Sequence, residues 1–403
     1  MAAVSGGGDS MALAQFLAAY QQKTQAEILC VSVDHGLRAG ALKEAESAGA
    51  ACRALGLSHR LMRWTGEKSL SGLQAAARAA RYGLLCDAAR DWRAGAILTG
   101  HTADDQAETV FMRLSRGAGS RGLSGMRARI QVASGAGAPV LLLRPLLGER
   151  RAALRGKLRA VGCAHQNDPS NDDHRFERVR VRQTLAALEE QGVLSCAALC
   201  AVADRAREAA DHEDRQIAEL FKQAGGIFYR WGGARLDGAA LDHPLAAAML
   251  RRLFFAVGGQ VFPPSRESAS CALTQIAAGK PATLAGALAR PSSGAARRPC
   301  AILFEREAAA LTGRAGVAPM TPASLAPGDA ALWDRRFIVE NTGALPVLIA
   351  PLAVSGRAAL SQSAARPGVT RDGAPPRDAF LADDINIKSL INERFSGNVI
   401  RYE

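Results

Sequence analysis

Three glycines bracketed by two serines and an aspartate lie close to the start of the chain, in the stretch SGGGDS from Ser5 to Ser10. Successive glycines let backbone N–H groups turn toward a bound anion, and a following helix adds the partial positive charge of its N-terminus. The hydroxyls of Ser5 and Ser10 can donate to phosphate oxygens, while Asp9 can bind Mg²⁺ or orient the loop. No GK[ST] sequence is present, so no lysine of the kinase type reaches the terminal phosphates. Taken alone, a strand-to-helix turn without a ligand is the simpler interpretation.

Two further stretches place polar side chains directly after apolar runs. Asp34 and His35 follow the run ILCVSV, and a loop or N-cap aspartate explains Asp34 as well as a ligand does. Asp105 and Glu108 are three residues apart in TADDQAET, so a helix brings both carboxylates to one face near its N-terminus. Acidic residues there also suit the helix dipole. That interpretation leaves the basic stretch SRGAGSRGLSGM unexplained, and we predict this stretch to be a mobile loop.

Apolar runs of strand length alternate with helical patterns through the first half of the chain. The runs MAAV, ILCVSVD, AGAILTGH and APVLLLRPLL predict buried strands. The stretches SMALAQFLAAYQQ, ALKEAESAGAACRALG, GLQAAARAARYGLLCDAARDW and TADDQAETVFMRLSRG predict helices. Continuous apolar strands indicate a parallel sheet covered by helices on both faces, and such sheets bind ligands at the carboxyl ends of their strands. We therefore expect one pocket to collect the three polar stretches.

The second half of the chain is less regular. An alanine-rich helical segment runs from about 193 to 219, helices mix with short strands over 220–310, and RRFIVE and LPVLIAPLAVS predict later strands. The Pro-, Gly- and Ala-rich stretch 314–332 indicates a boundary. The predicted fold class is α/β, with a doubly wound parallel sheet over 1–205, a helical and mixed domain over 206–313 and a small, mainly β domain over 314–403.

Composition narrows the partners and the compartment. The formal net charge of +12 with a pI near 9.8 comes mostly from arginine, which favours a polyanionic partner. No apolar run approaches the ~18 residues of a membrane helix and no signal peptide is recognisable, so we expect a cytoplasmic protein without membrane contact. Cys196 and Cys200 lack the further ligands of a metal site. Only four residues precede Ser5, so we expect the natural chain to begin upstream of Met1.

Several stretches together carry a family resemblance. SGGGDS, VDHGLR, GHTADDQAETVFMRLSRGAGSRGLSGM, LLRPLL and NDPSNDDHRFERVRVR follow one another over about residues 4–182. In that order they resemble the tRNA(Ile)-lysidine synthetases of the N-type ATP pyrophosphatase superfamily, whose domain has the adenine nucleotide alpha-hydrolase-like fold. The first stretch is shared by the whole superfamily, whereas DDQAET…RLSRGAG…GLSGM is far more specific. The resemblance implies that 1–205 is the ATP-pyrophosphatase (PP-loop) catalytic domain and that 206–313 is a tRNA-binding domain.

The resemblance implies a reaction in two steps. Such enzymes transfer AMP from ATP to the C2 oxygen of the wobble cytidine in a CAU anticodon, and pyrophosphate leaves. The ε-amine of free lysine then displaces AMP, so ATP with Mg²⁺, free lysine and tRNA(Ile) are the implied cofactor and partners. A loop without the kinase lysine is consistent with attack at the α-phosphorus.

The resemblance also assigns roles to residues. ATP is assigned to Ser5, Gly6, Gly7, Gly8, Asp9, Ser10, Asp34 and His35. Asp105 and Glu108 are assigned to the lysine amine, and Arg78 and Arg81 to charge on the adenylate. The catalytic residues are then Asp9, Arg81, Asp105 and Glu108, with Mg²⁺ held at Asp9. Contacts with tRNA fall to Arg78, Arg178 and Arg182, although solvated helix charge is the plain alternative for these arginines.

Two departures from the family pattern and several rival functions remain. Val179 stands where the family usually has asparagine, and Thr102 replaces the second of two common histidines.

A 2-thiocytidine synthetase is the nearest alternative, but the chain has no CxxC for sulfur chemistry. A glutamine-dependent amidotransferase needs a glutaminase domain before the loop. A non-catalytic nucleotide-binding module leaves Asp105 and Glu108 unexplained, and a generic tRNA-binding protein leaves SGGGDS unexplained. The oligomeric state, including a homodimer, stays open.

Overall fold

The structure is a computed structural model. It describes residues 1–37, 40–66, 72–134, 137–163, 165–166, 174–292, 299–312, 322–351, 367–370, 377–378, 385–390 and 400–402. Arg38 of the VDHGLR stretch, 167–173 of the NDPSNDD stretch and the first part of the predicted 314–332 boundary lie outside these residues. The chain divides into two compact units, one of Met1–Ser134 and Pro139–His212, the other of Gly135–Ala138 and Glu213–Tyr402.

The first unit contains a mostly parallel sheet. Its strands are β1 (Ala2–Ala3), β2 (Leu29–Asp34), β3 (Ser58–Arg63), β4 (Ile97–Thr99), β5 (Arg129–Ala133) and β6 (Val140–Leu143). They lie in the order β5-β6-β4-β1-β2-β3, with β5 alone antiparallel to its neighbour β6. The short β1 is central, because Ala2 pairs with Cys30 on one side and Leu98 on the other. The carboxyl ends of β1, β2 and β4 therefore meet at one edge.

Helices cover both faces of this sheet. They are α1 (Gly8–Thr24), α2 (Ala41–Ala54), α3 (Leu73–Asp91), α4 (Ala103–Leu114), α5 (Ser120–Leu123), α6 (Arg151–Ala160), α7 (Glu177–Glu190) and α8 (Cys196–Gln223). One core joins Met11 of α1, Cys52 of α2 and Leu154 of α6. A second core joins Tyr82 and Leu85 of α3 to strand residues on the opposite face. The doubly wound α/β prediction is confirmed.

Three local predictions were wrong in detail. No strand was predicted at SHRLMR or RIQVA, yet these are β3 and β5, and the exposed ends of β3 weaken its apolar signal. The run APVLLLRPLL forms a strand only over Val140–Leu143. The stretch SRGAGSRGLSGM contains the helical turn α5, which Arg113 fastens by donating from Nη1 to the oxygens of Gly122 and Gly125 at 2.8 and 3.0 Å.

The second unit begins within α8 and continues into antiparallel sheets. Its first part comprises β7 (Ile227–Phe228), β8 (Ala234–Asp237), a 3-10 helix (Gly238–Asp242), α9 (Ala246–Gly258), α10 (Arg266–Ala277), β9 (Ala282–Leu284), β10 (Ala287–Pro291) and β11 (Ala301–Arg306). The strands form a sheet in the order β7-β8-β11-β10-β9. Phe254 of α9 meets Phe304 of β11 edge-on, with ring centroids 5.4 Å apart, in a fully buried core.

Short strands make up the rest of the second unit. After α11 (Ala309–Thr312) come β12 (Ala323–Leu325), β13 (Ala330–Trp333), β14 (Phe337–Asn341), β15 (Val347–Pro351), β16 (Pro367–Thr370), β17 (Arg377–Asp378), β18 (Ile385–Ser389) and β19 (Ile400–Tyr402). They include the sheets β12-β15-β16-β17 and β13-β14-β18. The predicted strands RRFIVE and LPVLIAPLAVS correspond to β14 and β15. The domain limits 205/206 and 313/314 stay predictions. Within the described residues, no helix combines the length and apolarity that crossing a membrane requires.

Replacing Gly100 tests how closely α1 approaches the end of β4. A Cβ on Gly100 would lie 2.9 Å from the backbone oxygen of Asp9 and 3.1 Å from the nitrogen of Ser10. We expect Gly100→Ala to lower the free energy of unfolding by about 1–3 kcal/mol, because backbone cannot yield as a flexible side chain does. Gly95→Ala is the matched control, since nothing lies within 4 Å of its Cβ position. Equal denaturation midpoints for the two variants would contradict this close approach.

Candidate active site

The glycine stretch forms the turn from β1 into α1. Gly6 has a φ of +87°, and Gly8 is the first residue of the helix. The Ser5 backbone N–H donates to Oγ of Ser10 at 3.2 Å, and that hydroxyl donates to the oxygen of Gly7 at 2.9 Å. The N–H groups in the first turn of a helix have no partner within the helix. The turn therefore offers an anion the backbone donors and the helix dipole predicted for SGGGDS.

Residues after α6 pack against this glycine turn. The backbone N–H of Gln166 donates to the oxygen of Gly6 at 3.0 Å, and a Cβ on Gly6 would lie 3.2 Å from Oε1 of Gln166. A Cβ on Gly8 would lie 3.2 Å from the ring of His165. Only glycine fits both positions without displacing these neighbours. The sequence analysis did not single out His165 or Gln166, because neither belongs to a recognised spacing.

Asp34 and His35 lie at the end of the neighbouring strand β2. The carboxylate of Asp34 is buried and accepts from the Gly36 N–H at 2.8 Å and from Nε of Arg63 at 3.1 Å. Arg63 is the register partner of Asp34 on β3, so this ion pair ties two strand ends together. The ring of His35 meets Trp64 edge-on at 6.3 Å. Asp34 thus has the structural partners of a loop aspartate, and its assignment to ATP stays a prediction.

One guanidinium brings the predicted catalytic acids together. Arg151, the first residue of α6, donates from Nε to Asp9 at 2.9 Å and from Nη2 to Asp105 at 2.8 Å. Its Nη1 lies 3.4 Å from Oε1 of Glu108, which also accepts from Nε of Arg182 at 2.8 Å. Asp9, Asp105 and Glu108 therefore form one cluster, here named the acid cluster. The sequence analysis identified the three acids but missed Arg151.

Asp105 also caps the helix that carries it. Its Oδ2 accepts from the backbone N–H of Thr102 at 2.8 Å, and the Asp105 N–H donates back to Oγ1 of Thr102 at 3.4 Å. This reciprocal pair is a capping box at the start of α4. Thr102 therefore has a structural role at the position where the family usually has histidine.

The two acids nearest Arg151 have opposite pKa shifts. Burial raises the pKa of Asp9, and the charge and hydrogen bond of Arg151 offset only part of that shift. Burial alone would also raise the pKa of Asp105, but the Arg151 charge and the hydrogen bonds from Thr102 outweigh it. The net shift of Asp105 is downward, so Asp105 is ionised at pH 7. Asp105, which stays ionised, and Asp9, which is more readily protonated, thus both contact the guanidinium of Arg151.

Two oxygens of the acid cluster are still available to a ligand. Oδ1 of Asp9 and Oε2 of Glu108 are buried, and neither has a hydrogen-bond partner among the described residues. A buried carboxylate oxygen without a donor is costly to the folded protein. Both oxygens therefore suit a cation that arrives with the substrates, either a metal ion or an ammonium group.

Three arginines lie close enough to His101 to affect its charge. Burial, and next the charge of Arg144, lower the pKa of His101 to about 3, with smaller contributions from Arg81 and Arg78. His101 is therefore neutral at pH 7, and its Nδ1 lies 2.8 Å from Oγ1 of Thr99. The guanidiniums of Arg78 and Arg81 lie 4.8 and 5.3 Å from the ring centre of Tyr82. The predicted pair of arginines is thus close enough to this histidine to influence its charge.

Arg178 and Arg182 both lie on α7 but have different surroundings. Arg178 is exposed, whereas Arg182 is half-buried and paired with Glu108. Val179, which replaces the usual asparagine, is buried. Arg182 is thus turned toward the acid cluster, and the assignment of both arginines to tRNA stays a prediction. Arg144, which follows β6, was missed as a neighbour of the site although LLRPLL was recognised.

Comparisons with known proteins identify the family of the chain. A family model described as a PP-loop domain matches residues 1–189. The tRNA(Ile)-lysidine synthase of Ruegeria pomeroyi is 38% identical over 84% of this chain and 76% of its own. That of Mesorhizobium japonicum is 38% identical over 95% and 80%. That of Novosphingobium aromaticivorans is 41% identical over 73% and 86%. Among solved structures, the U34-tRNA thiolase NcsA from Methanococcus maripaludis with its [4Fe-4S] cluster aligns with 51% of this chain and 70% of that chain (TM-score 0.44, 17% identity).

A doubly wound sheet with a glycine turn after its central strand and acids at the strand ends defines a PP-loop domain, the class of ATP-utilising proteins that the family model describes. Within that class the relatives identify one family, because their similarity extends over most of this chain and most of their own. The chain belongs to the tRNA(Ile)-lysidine synthase family.

Asparagine at position 105 tests the charge of the acid cluster. We expect Asp105→Asn to lower the free energy of unfolding at pH 7 by about 2 kcal/mol, because the hydrogen bond from Arg151 loses its charged acceptor. Folding lowers the pKa of Asp105, so its charge stabilises the folded protein at pH values above the unfolded pKa of about 3.9. That stabilisation is lost as the pH falls through the pKa in the folded state. The difference between wild type and variant should therefore shrink below about pH 4.

Chemical denaturation at pH 7, 5 and 3 measures this difference. Asp91→Asn is the control, because Asp91 forms an exposed pair with Arg60 that contributes little. If Asp105→Asn loses as much stability at pH 3 as at pH 7, the charge of Asp105 does not stabilise the folded protein.

Proposed function

We propose that this protein is an ATP-dependent ligase that joins lysine to C2 of the wobble cytidine in tRNA(Ile) with a CAU anticodon. The relatives named tRNA(Ile)-lysidine synthase support this proposal. The observation that carries it is the acid cluster beside the glycine turn, with unpartnered oxygens on Asp9 and Glu108. A cytoplasmic location and a homodimer stay predictions.

ATP is the co-substrate of the PP-loop domain, and the residues of the glycine turn suit its phosphates. In the first step the C2 oxygen of cytidine attacks the α-phosphorus. The new O–P bond forms while the bond to the β-phosphate oxygen breaks, and pyrophosphate leaves. Ser5, Gly6, Gly7, Gly8 and Ser10 would hold the leaving phosphates. Arg78 and Arg81, on α3, would neutralise charge on the adenylate.

Mg²⁺ fits this site through Asp9. The described residues contain no group of three or more His, Cys, Asp or Glu side chains that would hold a metal by themselves. Mg²⁺ bound with a nucleotide needs only one or two carboxylates, because phosphate oxygens and waters supply the other ligands. Oδ1 of Asp9 is such a carboxylate oxygen, buried and without a donor. The ion would neutralise phosphate charge.

Lysine is proposed to bind at Asp105 and Glu108. The ionised carboxylate of Asp105 would attract the ammonium, and Oε2 of Glu108 would accept one of its protons. The deprotonated ε-amine then attacks C2, a C–N bond forms, and the bond from C2 to the AMP oxygen breaks. Arg151 and Arg182, which hold Oε1 of Glu108, would fix the direction of Oε2.

The alternatives account for less of the chain. A 2-thiocytidine synthetase needs cysteines for sulfur, whereas Cys196 and Cys200 place both Sγ atoms 3.5 Å from one backbone oxygen, that of Ala103. Those thiols lie in a helix–helix core. A non-catalytic nucleotide-binding module has no need for the acid cluster. The ligase is therefore the function that uses both the glycine turn and the acids.

Lysine incorporation into a CAU-anticodon tRNA(Ile) transcript with ATP and Mg²⁺ tests the proposal. We expect Glu108→Gln to slow lysine transfer about 10²–10⁴-fold, because a proton acceptor is lost, while tRNA-dependent pyrophosphate release is retained. Glu190→Gln is the matched control, since Glu190 is exposed at the end of α7. A transcript with its wobble cytidine changed should accept no lysine. Pyrophosphate release by wild type without lysine transfer would show that lysine is the wrong nucleophile for the second step.

The two arginines of α7 should separate tRNA binding from catalysis. Arg178→Ala should raise the KM for tRNA a few-fold and reduce the salt dependence by about one phosphate contact, with kcat unchanged. Arg182→Ala should lower kcat as well, because Glu108 loses its 2.8 Å partner. Steady-state kinetics at two or more salt concentrations measure both effects. Identical behaviour of the two variants would contradict the separate roles.

A further inference from the structure

Two cysteine thiols converge on the start of α4. Cys196 is the first residue of α8 and Cys200 lies one turn later, so both side chains lie on the same face of the helix. Each Sγ atom lies 3.5 Å from the backbone oxygen of Ala103, the first residue of α4. The two thiols also hydrogen-bond to each other. We name Cys196 and Cys200 the thiol pair, which contains none of the groups assigned to ATP, lysine or tRNA.

The backbone of the thiol pair is compatible with a disulfide. Residues four apart on an α-helix are separated by about 6 Å, and disulfides join Cα atoms about 4.4–6.8 Å apart. An S–S bond of about 2 Å would draw the two Sγ atoms together and distort the first turn of α8. The backbone N–H of Cys196 precedes the first helical hydrogen bond and donates instead to Oε1 of Glu189 at 3.1 Å. The first turn is therefore the part of α8 that a disulfide deforms at the least cost.

The two thiols differ in their access to solvent. Cys196 is buried, whereas Cys200 is partly exposed. The hydrogen bond from Cys196 also lowers the pKa of the Cys200 thiol, which raises the fraction present as thiolate. Redox-sensing cysteines combine an accessible, more acidic thiol with a second thiol beside it. Cys200 has the properties of the first thiol, and Cys196 has the position of the second.

A second pair of cysteines provides an internal comparison. Cys30 on β2 and Cys52 on α2 also hydrogen-bond to each other. Both are fully buried in the core that α1, α2 and α6 share. Access to solvent therefore distinguishes the thiol pair from these two cysteines, and an oxidant in solution should react with the thiol pair first.

Hydrogen bonds connect the thiol pair to the acid cluster. Glu189, which accepts from the Cys196 N–H, also accepts from Nη1 and Nη2 of Arg150, both at 2.9 Å. Asp104 accepts from Nε of Arg150 at 3.3 Å and from the backbone N–H of Arg151 at 2.7 Å. The guanidinium of Arg151 contacts all three acids of the cluster. A shift in the first turn of α8 therefore reaches the acid cluster both at the start of α4 and through Glu189.

We propose that the thiol pair is a redox modification site, at which a hydroperoxide converts Cys196 and Cys200 into a disulfide that slows the reaction at the acid cluster. The disulfide rests on the shared contact with Ala103, on the hydrogen bond between the thiols and on the exposure of Cys200. The effect on the reaction rests on the proposed function, because that reaction is lysine transfer.

The oxidation takes place in two steps. The Cys200 thiolate attacks one oxygen of the hydroperoxide, so an S–O bond forms, the O–O bond breaks and the other oxygen leaves with a proton. The product at Cys200 is a sulfenic acid. Sγ of Cys196 then attacks that sulfur, the S–S bond forms, the S–O bond breaks, and water leaves with the Cys196 proton. Two electrons pass from the thiols to the hydroperoxide, and a dithiol reductant reverses the reaction by exchange.

Mapping of the disulfide in the full-length protein tests the modification. The protein is treated with hydrogen peroxide, the remaining thiols are alkylated after unfolding, and the tryptic peptides are weighed. Segment 183–205 contains the thiol pair and has no internal trypsin site. We expect this peptide to lose two hydrogen atoms and to carry no alkyl group, while Cys30 and Cys52 are alkylated. Alkylation of the whole thiol pair, after a treatment that oxidises the exposed Cys271, would overturn the proposal.

Lysine transfer before and after oxidation tests the effect on the site. We expect the disulfide to lower the wild-type rate about 10–100-fold, because a displacement of about 1 Å at a reacting group has an effect of that size. Dithiothreitol should restore the rate. Cys200→Ala should keep its rate under peroxide, whereas Cys271→Ala, which removes an exposed thiol on α10, should lose it as wild type does. An unchanged rate in oxidised wild type, or an equal loss in Cys200→Ala, would contradict the proposed effect.

Hydrogen exchange gives a measurement that needs neither a variant nor catalysis. Backbone amides over 103–108 should exchange faster in the oxidised protein, because the start of α4 loses its contact with the two thiols. The amides of α10 are the internal control and should not change. Equal exchange over 103–108 in reduced and oxidised protein would show that the disulfide does not reach the acid cluster.

The proposed function and the redox site can fail separately. Lysine transfer by the reduced protein, without a mapped disulfide, would leave the ligase in place and remove the redox site. A mapped disulfide with faster exchange at the start of α4, but no lysine transfer by the reduced protein, would remove the ligase and retain the redox site.

Discussion

The guanidinium of Arg151 lies within hydrogen-bonding distance of three carboxylates that would otherwise repel one another. Asp9 comes from α1, Asp105 and Glu108 come from α4, and Arg151 is the first residue of α6. This one side chain therefore connects the glycine turn to the helix that carries the other acids. Its charge keeps Asp105 ionised, while burial still raises the pKa of Asp9. The electrostatics of the whole site depend on this contact.

Structural support and proposed chemistry are divided between two acids in the first turns of α4. Oδ2 of Asp105 accepts the N-terminal hydrogen bonds of the capping box, and Oδ1 accepts from Arg151. Glu108, one turn later, has one oxygen held by two arginines and one without a partner among the described residues. Helix capping and substrate binding are thus complementary uses of one acidic turn. Asp105 provides rigidity, and Glu108 provides the available oxygen.

The fold, and the approach of Asp9, Asp105 and Glu108 to one edge of the sheet, could be predicted because local patterns encode them. Apolar runs indicated the central strands, and the glycines before α1 indicated the turn at the sheet edge. Arg151 could not be predicted this way, because 142 residues separate it from Asp9 and no periodicity relates them. The edge strand β3 was missed because its exposed ends interrupt the apolar signal. The contact of Arg182 with Glu108 was not predicted, because spacing along α7 does not indicate which neighbour a side chain meets.

The chain order of these charges has a consequence for folding during synthesis. Asp9 and the acids of α4 leave the ribosome before Arg151, which follows Asp105 by 46 residues. Until α6 is made, the sheet edge holds buried negative charge without its balancing cation, which disfavours closure of α1 against the end of β4. The contact from α1 to α6 also has high sequence separation, which slows its formation. We therefore expect α1 to close against the end of β4 only after α6 has emerged and brought Arg151 to the acids.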